Sequence, residues 1–153
     1  MAPSMHGQHV LVLGLGASGL AMARWCARLG AQVSVADTRE APPQWAALQS
    51  ELPSVRFLHA PLDAALLQQA GLDGAAPSLL LKSPGIAPHA WGSLRQAALQ
   101  RGIAIGGELS LFAQALQDLA SQRGYAPRLL AVTGTNGKTT VTSLTGQLLA
   151  RAG

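Results

Sequence analysis

The sequence has little cysteine, few aromatic residues and few charges. Cys26 is the only cysteine among 153 residues, which excludes an intramolecular disulfide and a cysteine metal cluster and favours a reducing cytoplasm. Aromatic residues make up 4% of the chain and hydrophobic residues 48%. That balance favours layers of helix on parallel strand over an aromatic-rich sandwich. We therefore expect an α/β protein.

Charged residues make up only 12% of the chain, and 11 Lys and Arg against 7 Asp and Glu leave a net charge of +4. The cations are scattered singly, so no nucleic-acid interface is expected, whereas a few placed cations suffice for a nucleotide. The apolar run at residues 10–23 is broken by glycine. It is shorter than the roughly 20 residues that span a bilayer. We expect neither a membrane segment nor a signal peptide.

Short apolar runs alternate with segments of helical apolar spacing over the first two thirds of the chain. The predicted strands are residues 9–13, 32–36, 55–58, 79–82 and 103–105. The predicted helices are residues 20–29, 42–51, 62–70 and 91–101. This alternation predicts a Rossmann-like, five-stranded parallel sheet with flanking helices, which binds ligands at the carboxyl ends of its strands.

A second unit is predicted after residue 107. Residues 108–122 show a helical pattern through Leu109, Phe112, Leu116 and Leu119, and a polar connector follows at residues 121–127. A strand at 128–132, a loop at 133–138 and a helix at 139–152 complete the unit. One βα unit cannot bury both faces of its strand. We therefore expect a Rossmann-like domain at residues 1–107 and the incomplete start of a second domain at 108–153.

The first predicted strand runs into a glycine-rich turn, Gly14-Leu15-Gly16-Ala17-Ser18-Gly19. In a strand–turn–helix context, Gly14 permits the tight turn, Gly16 lets a phosphate approach the backbone, and Gly19 permits close packing of helix on strand. Asp37 ends the second strand, where dinucleotide-binding folds place an acid that binds a ribose. Alternatively, the glycines only permit a turn and Asp37 only caps a loop. The context favours a nucleotide site.

The sequence allows several roles for Arg39. Its guanidinium could accommodate the ribose phosphate of NADP, stack on a base, or be solvated. An NADP-dependent oxidoreductase is therefore one candidate function.

A second glycine loop favours phosphate binding further along the chain. Its residues are Gly134, Thr135, Asn136, Gly137, Lys138, Thr139 and Thr140. Backbone N–H groups would wrap phosphate oxygens, the Lys138 ammonium would neutralise their charge, and the Thr139 hydroxyl would reach Mg²⁺. Val132 stands where the general phosphate-loop pattern has its first glycine, so an ordinary βα turn with a surface lysine is the alternative. An oxidoreductase would leave this loop unexplained.

The second loop resembles the ATP loop of the Mur ligases and folylpolyglutamate synthetases, in which the Val132 departure is normal. Four motifs in order resemble the D-glutamate-adding branch of the Mur ligases over essentially the whole chain. They are the turn at 14–19, Asp37-Thr38-Arg39, Ser83-Pro84-Gly85-Ile86, and the segment from Gly102-Ile103 to Phe112. Two connectors depart from that family. The family usually has a proline ahead of the helix that follows residues 83–86, where this sequence has His89-Ala90-Trp91-Gly92, and the segment at residues 121–125 is longer than is typical of the family.

The resemblance assigns binding roles by position. It implies that the first domain holds the UDP part of UDP-N-acetylmuramoyl-L-alanine, with Ala17 and Ser18 at the pyrophosphate. Asp37, Thr38 and Arg39 would surround the uracil, and Ser83 would lie beside the nucleotide. Residues 134–140 would bind ATP, with Lys138 and Thr139 as the catalytic residues and Thr139 at Mg²⁺. The expected substrate-binding residues are Gly14, Gly16, Ala17, Ser18, Gly19, Asp37, Thr38, Arg39 and Ser83.

The resemblance also implies a reaction. The γ-phosphoryl group of ATP passes to the muramoyl-alanine carboxylate and ADP leaves. The amine of D-glutamate then attacks the acyl phosphate and phosphate leaves, which forms an amide bond in peptidoglycan synthesis. Acidic Mg²⁺ ligands and the D-glutamate domain would follow Gly153. We therefore expect this chain to bind the UDP moiety without catalysing the reaction alone. A noncatalytic UDP-binding module is the second alternative, beside the NADP-dependent oxidoreductase.

Overall fold

A computed structural model describes residues 5–72 and 74–152. Five strands form one sheet in the order β3-β2-β1-β4-β5, and every neighbouring pair is parallel. The strands are His9–Leu13 (β1), Gln32–Asp37 (β2), Arg56–His59 (β3), Leu79–Lys82 (β4) and Ala104–Gly106 (β5). The predicted five-stranded parallel sheet is confirmed.

The helices between residues 17 and 100 cover both faces of this sheet, and two longer helices follow in the chain. In chain order the helices are Ala17–Arg28 (α1), Trp45–Glu51 (α2), Leu66–Gln69 (α3), Gly92–Gln100 (α4), Glu108–Arg123 (α5) and Lys138–Ala152 (α6), with a 3₁₀ segment at Pro88–Trp91 before α4. No helix in the described ranges is both long and apolar enough to cross a membrane.

The core has two layers because side chains alternate across each strand. Val10, Val12 and Val35 pack with α1 and α2 on one face. Leu11 and Leu13 pack with α3 and α4 on the other. All five of these side chains are fully buried. The sheet is therefore a rigid platform for the loops at its edges.

The strand order contains one reversal. The chain runs from β1 outward to β3 and then crosses to the other side of β1 to form β4 and β5. The loops that follow β1 and β4 consequently diverge at their carboxyl ends, which opens a crevice between them. This crevice is where a parallel sheet of this type places its ligand.

Two predicted helices begin later than expected. The helix predicted from residue 42 begins at Trp45, because Pro43 disfavours helical geometry at Pro42, and the Trp45 amide instead closes a turn onto the Pro42 carbonyl. The helix predicted from residue 62 begins at Leu66. There the Asp63 carboxylate accepts a hydrogen bond from the Ala65 amide and holds the preceding turn.

The prediction of a strand at residues 128–132 is wrong for the described chain. The segment is irregular, because a strand requires a hydrogen-bonded neighbour and no described strand pairs with it. The apolar face predicted for α5 is also partly wrong. Leu109 and Phe112 are exposed, whereas Leu111 packs against the core. The long helix predicted after β5 and the final helix of the described chain are both present.

His9 is a buried imidazole at the amino end of β1. It is 7% exposed, its Nε2 atom lies 3.1 Å from the Ser34 hydroxyl oxygen, and its Nδ1 atom has no hydrogen-bond partner in the described structure. Burial, together with the positive charge of Arg56, lowers the pKa of His9 below its ordinary value of 6.5. The folded protein therefore holds this side chain neutral.

Acidification should destabilise the fold through His9. The unfolded chain binds the proton more tightly than the folded chain, so the free energy of unfolding should decrease as the pH falls below about 6.5. We expect His9→Gln to flatten this dependence in denaturant titrations between pH 7 and 5. His89→Gln, which replaces an exposed histidine, is the matched substitution with which the slope of His9→Gln would be compared. An unchanged slope in His9→Gln would contradict this role.

Candidate functional site

A cleft of about 530 Å³ opens at the carboxyl edge of the sheet, between the loops that follow β1, β2 and β4. Its volume lies within the range of small-molecule sites. The cleft is lined by Gly14, Gly16, Ala17, Ser18, Asp37, Thr38, Arg39, Leu62, Ser83, Pro84, Gly85, Ile86, Ala87 and Ala90. The glycine-rich turn thus lines the cleft that opens where the strand order reverses.

Two glycines shape the turn between β1 and α1. Gly14 has a φ of 84°, a conformation that side chains other than glycine rarely adopt. A Cβ atom on Gly19 would lie 1.8 Å from the Gly14 carbonyl oxygen. Helix α1 therefore approaches the turn so closely that only glycine fits at residue 19, which confirms the packing role predicted for it.

Gly16 occupies open space at the start of α1. A Cβ atom on it would meet no heavy atom within 4 Å, so the protein itself does not require glycine there. The first N–H groups of a helix lack intrahelical acceptors and carry partial positive charge. An anion in the cleft can therefore approach the backbone at Gly16 and Ala17.

Asp37 fastens the turn to the end of β2. Its carboxylate is 3% exposed and accepts hydrogen bonds from the Leu15 amide at 2.7 Å and the Arg39 amide at 3.0 Å. The Arg39 guanidinium donates two more, at 2.8 and 2.7 Å. Each carboxylate oxygen thus accepts two protein donors, which fills its capacity.

These donors hold Asp37 ionised. Burial by itself would raise the pKa of the carboxyl, but the hydrogen bonds from the Arg39 side chain and from the Leu15 and Arg39 amides outweigh it and lower the pKa to about 2. The Arg39 side chain remains about half exposed. Its guanidinium is therefore fixed at the cleft wall by Asp37 while remaining accessible to a ligand.

The loop after β4 forms the opposite wall. The Ser83 hydroxyl donates to the Gly14 carbonyl at 3.1 Å and joins the two loops. The Lys82 ammonium donates to the carbonyl oxygens of Ser83 at 2.8 Å and Ile86 at 2.9 Å. It also contacts the Pro84 carbonyl at 3.4 Å. The Lys82 ammonium thus contacts three backbone carbonyls of this wall.

The structure brings eight of the nine predicted substrate-binding residues together in the cleft. The ninth, Gly19, lies behind the turn, where it sets helix packing. Leu62 and Ala90 also line the cleft, but sequence reasoning missed them because isolated apolar residues carry no signal for a site. The contacts of Lys82 were missed too, although the neighbouring Ser83-Pro84-Gly85-Ile86 motif marked the region.

The second glycine loop precedes α6, and residues 133–140 are exposed. Gly134 and Gly137 have φ values of 151° and 74°, so the loop needs glycine at both positions. The Lys138 ammonium donates to the Gly134 carbonyl at 2.6 Å. Lys138 therefore turns back over the loop. Together with the unpaired N–H groups of the first turn of α6, it forms an arrangement that suits a phosphate.

The described residues contain no group of three or more His, Cys, Asp or Glu side chains arranged to hold a metal ion. Cys26 is buried, and burial raises the pKa of its thiol to about 11. It therefore lacks the thiolate character of a ligand or nucleophile.

The chain is similar to characterised protein families over most of its length. Residues 8–107 match the family model described as the N-terminal domain of MurD-like Mur ligases. A UDP-N-acetylmuramoylalanine–D-glutamate ligase of Albidiferax ferrireducens is 58% identical over 150 residues, which are 98% of this chain and 29% of the relative. The corresponding ligase of Cupriavidus pinatubonensis is 54% identical over 95% of this chain and 28% of its own length.

A solved structure also shares the fold. A murein peptide ligase from Psychrobacter arcticus aligns with a TM-score of 0.54 and 24% identity over 95% of this chain and 27% of that protein. The chain therefore spans less than a third of the length of the relatives it matches.

Proposed function

Because this chain belongs to the Mur ligases with a MurD-like N-terminal domain, we propose that its cleft binds the UDP part of UDP-N-acetylmuramoyl-L-alanine. The observation that carries the proposal is the convergence of Ala17, Ser18, Asp37, Thr38, Arg39 and Ser83 on one cleft. The α1 N-terminus would receive the pyrophosphate. Residues 37–39 would surround the uracil.

The state of Asp37 favours this ligand over NADP. An NAD-type site requires an acid that accepts a hydrogen bond from a ribose hydroxyl, and an NADP-type site requires an arginine available to the ribose phosphate. Here the Asp37 oxygens are filled by protein donors. Arg39 is neutralised by the same carboxylate. Its fixed guanidinium plane is instead suited to stacking on a base.

We propose that residues 134–140 bind ATP and that Thr139 contributes to a Mg²⁺ site. The φ values of Gly134 and Gly137 and the position of the Lys138 ammonium fit a phosphate. In the proposed reaction, ATP activates the muramoyl-alanine carboxylate, and the amine of D-glutamate then forms the amide bond. Lys138 would hold and neutralise the phosphates of ATP while the cleft holds the UDP end of the acceptor.

We propose the complete ligase reaction only for a full-length protein like the relatives. For the 153-residue chain we propose nucleotide binding without turnover, in the cytoplasm. It would bind neither nucleic acid nor membrane. D-glutamate would be bound by other parts of the whole protein.

A thermal-shift comparison tests the proposed ligand. UDP-N-acetylmuramoyl-L-alanine at saturating concentration should raise the Tm of the chain by roughly 5 °C, because a ligand that binds only the folded state stabilises it by mass action. UDP should give a smaller increase of the same sign, and NADP none. The comparison would be made at fixed protein concentration and ionic strength.

Inorganic pyrophosphate is the matched ligand control. A shift with pyrophosphate equal to that with UDP would mean that the cleft binds anions without recognising uridine. A larger shift with NADP than with UDP would contradict the proposed function and support the oxidoreductase alternative.

A further inference from the structure

We infer that Lys82 is a positioning residue for the nucleotide cleft: its ammonium fixes the wall formed by residues 83–87 without contacting the ligand. The inference rests on the proposed function, because it concerns the wall of the same cleft. Lys82 itself does not line the cleft, whereas Ser83, Pro84, Gly85, Ile86 and Ala87 all do.

The Lys82 ammonium lies among three backbone carbonyl oxygens. An ammonium carries three protons, and the Ser83, Pro84 and Ile86 carbonyl oxygens lie 2.8, 3.4 and 2.9 Å from its nitrogen. Its two short hydrogen bonds, to the Ser83 and Ile86 carbonyls, hold the ammonium against the backbone of the loop. The three carbonyls would otherwise repel one another and any anion nearby.

The wall at residues 83–87 is hydrogen-bonded directly to the end of β1 and the glycine-rich turn. The Ser83 amide donates to the Leu13 carbonyl at 3.0 Å, and the Ser83 hydroxyl donates to the Gly14 carbonyl. A change in the shape of the loop at 83–86 would therefore reach the backbone that is proposed to bind pyrophosphate. Lys82 thus connects the two walls of the cleft through a short chain of hydrogen bonds.

The test compares Lys82→Met with Lys82→Arg by calorimetric titration with UDP at a temperature where circular dichroism shows every variant folded. Lys82→Met keeps the aliphatic length but removes the charge, and we expect UDP affinity about tenfold weaker because charged hydrogen bonds are lost. Lys82→Arg retains donors and charge and should keep affinity within about threefold. Arg101→Met removes an exposed cation that follows α4 and should leave affinity unchanged.

A second measurement needs no ligand. The Ile86 amide donates to the Ser83 carbonyl at 3.2 Å within the restrained loop, so its hydrogen exchange should accelerate at least tenfold in Lys82→Met and not in Lys82→Arg. Unchanged exchange, or unchanged UDP affinity in Lys82→Met, would overturn the inference. If the unsubstituted chain failed to bind UDP while exchange at Ile86 still accelerated, the proposed ligand would be wrong but the role of Lys82 in the loop would stand.

Discussion

Gly19→Ala is expected to unfold the chain or lower its stability by at least about 3 kcal/mol, the upper part of the range for overpacked sites. The new Cβ atom would lie 1.8 Å from the Gly14 carbonyl oxygen and 2.9 Å from its carbonyl carbon. Neither atom can move easily. Gly14 has a positive φ, and its amide is hydrogen-bonded to the Ala36 carbonyl. Chemical denaturation followed by circular dichroism would measure the loss.

Gly16→Ala is the matched control, since the same methyl group is added three residues earlier. The added Cβ atom meets nothing within 4 Å, so stability should change by no more than about 1 kcal/mol. If a phosphate approaches Gly16, however, UDP affinity should fall although the fold is intact. A Gly19→Ala protein as stable as the unsubstituted chain would show that the close approach of α1 to the turn is not as described.

Asp37→Asn is expected to lower the stability of the fold by about 2 kcal/mol, which is the free energy equivalent to lowering the pKa by nearly two units. The amide has one acceptor oxygen where the carboxylate has two, and its NH₂ group would face donors from Arg39 or Leu15. We expect a decrease in Tm of roughly 5 to 10 °C. UDP affinity should also fall, because the Leu15 and Arg39 segments lose their common anchor.

The same substitution should remove an acid-sensitive component of stability. The pKa of Asp37 is lowered from 3.8 to about 2, so its contribution is complete above pH 3.8 and is lost as the pH falls towards 2. Asp37→Asn should remove that dependence. Glu51→Gln is the control, since it breaks an Arg–carboxylate pair of 2.6 Å whose side chains are nearly half exposed; its Tm should hardly change. Equal losses in the two variants would contradict the special role of Asp37.

The sheet and its cleft could be predicted because the relevant signals are local. Short runs rich in apolar and β-branched residues around Val10 and Val35 indicate buried strands, and glycine spacing after β1 indicates a tight turn into a helix. Parallel pairing then places the ends of β1, β2 and β4 along one edge. The family resemblance assigned Asp37 and Ser83 to one ligand, and the parallel pairing explains why residues so distant in sequence line the same cleft.

Other features depend on contacts that no local pattern contains. Residues 128–132 have the composition of a strand, but without a neighbour they remain irregular. The saturation of Asp37 depends on the backbone of Leu15, and the role of Lys82 depends on three carbonyls in the following loop. The sequence could therefore predict a nucleotide site but not the contacts that hold its walls in place.

We propose that the cleft after β1, β2 and β4 recognises a uridine diphosphate. The most direct measurement is a titration of the ¹⁵N-labelled chain with UDP, followed by amide NMR spectra. If UDP binds in the cleft, the amide resonances of residues 14–19, 37–39 and 83–87 should shift saturably, and those of α2 should not shift. Shifts confined to residues 134–140, or no saturable shifts at all, would contradict this proposal.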